Sequence, residues 1–281
     1  MAVPRVLVNP LRRARSGPQI GEGRAVLVIP GLATGDISTT LLRRTLKARG
    51  FAPEGWRLGL NTGADPAKVK RLEARIAAMH RSSGKKVLLI GWSLGGLYAR
   101  VLGHRCAEHL HMVVTVASPF SGDRHANRAW QIYEAINDHT VENPPFAEDV
   151  SVKPPVQTLA IWSAVDGVVS PECTRGREGE TDHTLRIDAP HFTLGTSRSC
   201  IDKLLAKIVE IDARPSDSIA LAIQQEAPIY ISEHVWEQVE DMSDVLKKME
   251  ERGLPSDSAG GSAPPAPPEL GEDPDGDDEI V

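Results

Sequence analysis

The stretch with the clearest chemical potential is Gly91-Trp92-Ser93-Leu94-Gly95. A serine hydroxyl at its ordinary pKa is a poor nucleophile, so it needs a base to take its proton and an acid to orient that base. Downstream the chain offers Asp166, in Ser163-Ala-Val-Asp-Gly-Val-Val169, and then His191, in Asp188-Ala-Pro-His-Phe-Thr-Leu194. The order Ser, Asp, His is one in which such triads are built. Each of the three follows an apolar run that reads as a strand, and in open α/β sheets the groups that handle ligands stand beyond the carboxyl ends of strands. A tetrahedral oxyanion needs backbone N–H donors. Leu94, directly after the serine, is one candidate, and Leu32 in Ile29-Pro-Gly-Leu32 is the other, with Gly31 allowing close approach. Trp92, Phe120 and Phe192 stand beside these residues and are expected to contact substrate, with Trp130 and Tyr133 adding apolar surface.

Competing acids and bases are less well placed. Asp188 is too close in sequence to His191 to be its natural partner, and Asp182 and His183 precede a strand rather than follow it. His104, His109 and His111 fall on or just after a helix, where solvated histidines are the default. Neither an H-E-x-x-H pattern nor a grouped Cys/His set occurs, so no metal site and no cofactor are expected.

A strand–helix rhythm holds these residues. Ala25–Ile29, Phe51–Trp56, Lys86–Ile90, Met112–Ala117, Val156–Trp162 and Thr184–Ile187 read as strands. The patterns at 38–48 (with Ser38 as cap), 67–80, 97–107 and 197–210 read as helices, and Val69, Leu72, Ile76 and Met79 form one apolar face. Strands alternating with helices imply an α/β fold with a mostly parallel sheet covered on both faces. Residues 121–155 break the rhythm with turn chemistry and one helix near 128–137, and are expected to form a short lid above the sheet. Residues 1–23 are expected to be an arm with a short edge strand at Val6–Val8.

The chain has 281 residues, 41% apolar, with 32 Lys+Arg against 38 Asp+Glu and a formal charge of −6. Residues 254–281 carry eight carboxylates and no basic side chain, which leaves the rest of the chain at +2. With no basic surplus, nucleic acid is an unlikely partner. Three cysteines, Cys106, Cys173 and Cys200, cannot form a disulfide framework, and no signal-peptide-length apolar region follows the basic start. No run approaches the ~18 apolar residues needed to span a bilayer. The expectation is a cytoplasmic protein acting on a small molecule.

Taken together, Val28–Leu32, Gly55–Asn61, Leu89–Ala99, Val116–Phe120, Ser163–Val169 and Ala189–Phe192 resemble the α/β-hydrolase superfamily, of the bacterial lipase/esterase-like kind, over about residues 24–208. The resemblance implies hydrolysis of carboxylic esters through an acyl-serine, with Ser93, Asp166 and His191 as triad, on a small-molecule acyl ester. Two departures stand out: Pro30-Gly31 replaces the His-Gly pattern at the second oxyanion donor, and the lid is short. A serine nucleophile argues against epoxide hydrolase or dehalogenase chemistry. Thioesterase, lactonase, amidase and acyltransferase chemistry remain open.

A second resemblance lies in Asp212–Ala222 and Ala227–Val235, which are similar to the C-terminal part of the bifunctional nuclease family domain. Physically, residues 209–253 read as helix 217–225, strand 229–231 and helix 233–251. The last carries an apolar stripe, Val235, Val239, Met242, Leu246 and Met249, through which a homo-oligomer could form. The alternative reading is therefore a nuclease-related or binding module in this segment. Residues 254–281, Pro-rich and then acidic, have the composition of a disordered tail.

Overall fold

A strand that is apolar at every position has two faces to bury, and the five residues Ala25–Ile29 are buried throughout. The computed structural model describes residues 19–212, together with Ile219, Ala222, Ile223, Pro228 and Ile229. The chain divides into two units, Met1–Pro215 and Ser216–Val281. In the second unit the described residues Ile219, Ala222 and Ile223 are helical. The expected edge strand at 6–8, the stripe on helix 233–251 with its association, and the tail at 254–281 lie outside the described residues.

The first unit is built on six parallel strands: β1 (Ala25–Ile29), β2 (Ala52–Gly55), β3 (Val87–Trp92), β4 (Leu110–Val116), β5 (Gln157–Trp162) and β6 (His183–Arg186). Their spatial order is β2-β1-β3-β4-β5-β6. Helix α1 (Thr40–Ala48) follows β1, α2 (Pro66–Ser83) follows β2 and α3 (Leu94–Arg105) follows β3. Then come α4 (Trp130–Ile136), α5 (Pro171–Arg175), α6 (His191–Thr196) and α7 (Arg198–Asp212).

Alternation along the strands divides the core into two layers. Val26, Val28, Leu88, Ile90, Met112 and Val114 face Leu42 and Leu46 of α1 and Ile201, Leu204, Leu205 and Ile208 of α7. Ala25, Leu27, Ile29, Val87 and Leu89 face Val69, Leu72, Ile76 and Met79 of α2 and Tyr98, Val101 and Leu102 of α3. The four-residue stripe expected on 67–80 is thus the buried face of α2. That helix is longer than expected because Asp65 caps it, accepting from the N–H groups of Ala67 and Lys68 at 2.8 and 3.3 Å, and Gly84 closes it in the left-handed conformation.

Other differences have local causes. Helix α3 starts at Leu94 rather than 97, because the turn at Ser93 opens directly into it. Thr39, not Ser38, occupies the cap position of α1, and the Ser38 hydroxyl bonds back to the Gly35 carbonyl at 2.8 Å. The five- and six-residue helices α5 and α6 were not expected, since one or two turns give no readable periodicity. Helix α7 runs on to Asp212, where Asp212 Oδ1 meets His111 Nε2 at 2.6 Å and Ile211 packs on the core.

Because Ile201 is fully buried beneath the sheet, Ile201→Ala should lower the stability of the first unit by about 2–5 kcal/mol. Urea unfolding followed by tryptophan fluorescence measures this, and an unchanged midpoint would show that α7 is not part of this core.

Candidate active site

Ser93 sits between β3 and α3 with φ 53° and ψ −122°, a conformation costing an L-residue about 1–3 kcal/mol. The turn is tight enough that its flanking glycines cannot carry a Cβ. At Gly91 it would overlap the Gly95 carbonyl, and at Gly95 it would overlap the carbonyl oxygen of Ile29. The turn is held by Ser93 N–H donating to the Val116 carbonyl at 2.7 Å and Gly96 N–H donating to the Ser93 carbonyl at 2.9 Å.

The loop after β1 lies against this turn, with the position of a Cβ on Gly31 only 3.2 Å from Ser93 Cβ. Asn61, fully buried, pins that loop: its Nδ2 donates to the Pro30 carbonyl at 2.8 Å, and backbone bonds link it to Ala33 and Thr34. The N–H groups of Leu32 and Leu94 have no hydrogen-bond acceptor among the described residues. As the first residue of α3, Leu94 has no intrahelical partner to donate to.

Asp166 and His191 are brought together from the loops after β5 and β6. His191 Nδ1 lies 2.9 Å from Asp166 Oδ2 and 3.0 Å from Oδ1, and both residues are 4% exposed. Asp166 Oδ1 also accepts from the N–H groups of Val168 and Val169 at 2.9 and 2.7 Å, and the Asp166 carbonyl accepts from His191 N–H at 2.9 Å. A carboxylate so placed makes Nδ1 the protonated ring nitrogen and leaves Nε2 as the free base. The fully buried Ser163 clamps the two loops, its hydroxyl donating to the Ala189 carbonyl at 2.8 Å and accepting from Ala189 N–H at 3.1 Å. The Ser93 hydroxyl and the His191 ring are not hydrogen-bonded to each other.

Ser93 opens onto a cavity whose floor is Leu32, Leu94 and Leu97. Most of its wall comes from residues 121–155, including Trp130, Tyr133, Val141, Phe146 and Val150, with Arg124, Asn127 and Glu148 as its polar members. The segment is tied down at both ends. Arg128 N–H donates to the Val168 carbonyl at 2.8 Å and Ser170 N–H to the Ala126 carbonyl at 3.0 Å, which joins it to the Asp166 loop. At the other end the buried Arg100 of α3 donates to the carbonyls of Val150, Ser151 and Val152, and to that of Glu180. Burial pulls this guanidinium down to about 10, against the opposing pull of Glu180 and Asp149, so it stays charged at neutral pH.

The three aromatic residues expected to contact substrate do not line the cavity onto which Ser93 opens. Trp92 is buried under the site, its ring 6.2 Å from those of His191 and Phe192, and its indole N–H has no partner among the described residues. Phe120 is buried beneath the Arg100 guanidinium, 4.2 Å from its ring centroid. Phe192, 63% exposed, points outward from α6 as its neighbour His191 points in. None of them lines the cavity with Ser93, whereas Trp130 and Tyr133 do. Asn61 and Val169 end two of the motif segments, whereas Arg124 lies outside all of them, and no sequence signal marks it. Among the described residues one exposed group, Asp123, His125 and Glu142, has metal-ligand atom spacing. The cysteines Cys106, Cys173 and Cys200 are buried and free, and no described helix is long and apolar enough to cross a membrane.

The strain at Ser93 is testable. Glycine adopts this conformation without penalty but loses more chain entropy on folding than alanine. Ser93→Gly should therefore be at least as stable as Ser93→Ala, by up to about 1 kcal/mol, in thermal unfolding. A clearly less stable glycine variant would show that the turn is unstrained.

Comparison with known proteins fits this architecture. An esterase from Pyrococcus furiosus superposes with a TM-score of 0.50 at 15% identity, covering 68% of this chain and 83% of its own. An N-formylmaleamic acid deformylase from Pseudomonas putida superposes with a TM-score of 0.50 at 13% identity, covering 66% of this chain and 92% of its own. No curated protein matches the chain in sequence. The family model of the bifunctional nuclease domain matches residues 193–243, a span that takes in α7. The chain thus combines an α/β-hydrolase fold with a C-terminal stretch similar to the bifunctional nuclease domain.

Proposed function

We propose that the chain hydrolyses carboxylic esters through an acyl-serine intermediate, with residues 121–155 as the lid of the acyl pocket. The observation that carries this reading is Ser93 itself. A backbone held in an unfavourable conformation presents its hydroxyl to a cavity beside two N–H groups without acceptors. Core packing gains nothing from such an arrangement, and a nucleophile needs it.

In this reading His191 Nε2 takes the Ser93 proton as Oγ attacks the acyl carbon. The bond from Oγ to Nε2 forms with substrate in place, since catalytic hydrogen bonds in ligand-free sites are often long. Asp166 keeps the proton on Nδ1 and stabilises the imidazolium that develops. Leu94 and Leu32 donate their N–H groups to the oxyanion. The imidazolium returns its proton to the departing alkoxide, and water activated by the same nitrogen then releases the acid. Thioesters, lactones and amides pass through the same steps, so ester preference is a matter for substrate comparison. The small-molecule ester fits a cavity that is mainly apolar with few polar groups.

Ser93→Ala should abolish turnover of p-nitrophenyl esters, lowering kcat at least about a thousandfold, and His191→Ala should be nearly as severe because such groups act as a unit. A fluorophosphonate probe should label the native chain at Ser93 and leave the alanine variant unlabelled. Undiminished turnover in Ser93→Ala would exclude the proposal.

A further inference from the structure

We propose that Arg124 forms an anion subsite in the cavity faced by Ser93, so that the preferred substrates are esters with a carboxylate on the acyl chain. This deepens the ester-hydrolase reading and rests on it. In this reading the alcohol leaves toward solvent and the acyl group takes the cavity lined by Ser93, Leu94 and the 121–155 segment.

Arg124 is the one cationic residue among those lining this space. It is half-buried, and its Nη1 donates to the carbonyl of the wall residue Val141 at 2.8 Å. That bond sets the guanidinium at the wall and occupies one of its five N–H donors. No carboxylate lies within ion-pair distance of it among the described residues. The neighbouring acids have other partners: Asp149, whose charge reaches Arg124 only beyond ion-pair distance, accepts from the Ser151 N–H and hydroxyl at 2.9 and 2.8 Å. Asp123 and Glu142 face the His125 ring, 3.6 and 3.2 Å from its Nδ1. Glu148, the other charged lining residue, is held by two bonds from Arg105 at 2.5 and 2.9 Å. A half-buried guanidinium among Trp130, Tyr133 and Val141 is costly without a counter-ion, and its planar fork matches a carboxylate.

The test compares kcat/KM for p-nitrophenyl octanoate with that for the p-nitrophenyl half-ester of suberic acid, whose free carboxylate is too remote to attack its own ester. Arg124→Gln should lower the anionic-to-neutral ratio at least about tenfold, the loss expected for a hydrogen-bonded charge, and Arg124→Lys should restore part of it. A ratio unchanged in Arg124→Gln would overturn the subsite. Calorimetric titration of 8-oxononanoate, which sets a ketone where the ester lies and a carboxylate at the far end of the chain, judges it independently of turnover. Affinity should fall about tenfold in Arg124→Gln and less in Arg124→Lys, and equal affinity, or none for the native chain, would overturn it. Turnover of neither ester alongside arginine-dependent 8-oxononanoate binding would refute the hydrolase reading and leave the subsite standing. If Arg124→Gln does not fold, the lysine variant decides, because loss of the planar fork should still lower the ratio severalfold.

Discussion

Two strands, β1 and β3, lie side by side while the helices that follow them pack on opposite faces of the sheet. That arrangement opens a crevice beyond their carboxyl ends, and the rest of the site depends on it. The turn after β3 must reach α3 within one residue, which forces Ser93 to a positive φ. The loop after β1 must pass close to that turn, which Gly31 allows and Asn61 enforces. The N–H groups of Leu32 and Leu94, two residues that line the cavity, are left without an acceptor among the described residues. The strain is held by five parallel pairings and by burial on both sides of the sheet, so a local cost of a few kcal/mol is offset by the fold as a whole.

The segment between β4 and β5 gives the cavity its character. It has little core of its own and is secured by polar bonds at its ends: the backbone pairs near Asn127 and Val169, and the fan of bonds from Arg100. Arg100 lies on the helix that Ser93 begins, and Val169 follows Asp166 in the same loop. The cavity wall is therefore fastened to the same elements that carry the candidate nucleophile and acid. A buried cation that answers several carbonyls at once can fix loops that apolar contacts alone would leave loose.

The similarity to the bifunctional nuclease domain begins inside the first unit. Helix α7 falls wholly within residues 193–243, yet Ile201, Leu204, Leu205 and Ile208 complete the core layer beneath β1, β3 and β4. Those side chains are committed to the sheet, so this helix serves the hydrolase fold whatever its sequence resembles. A boundary at 208 would cut through it, because the helix and its bond to His111 continue to Asp212.

Much of this was readable in the chain itself. Apolar runs such as Val26–Ile29 and Leu88–Ile90, bounded by turn residues, read as strands buried on both faces, and the stripe from Val69 to Met79 reads as one side of a helix. From those follow the parallel sheet and the places where Ser93, Asp166 and His191 stand, since residues after strand ends are ordered by the chain. What sequence could not decide was direction. Phe120, Trp92 and Phe192 sit beside the motifs, but neighbouring side chains in a strand or helix point different ways. The tertiary packing turned Trp92 under the site, Phe120 toward Arg100 and Phe192 to solvent. The cavity wall came instead from Trp130, Tyr133 and Arg124, in a segment with no long-range periodicity, where only contacts with distant residues choose a conformation. Local propensity and chain order determined the elements and the order of the candidate site residues along them. Which side chains share one space was decided by packing between positions far apart in the chain.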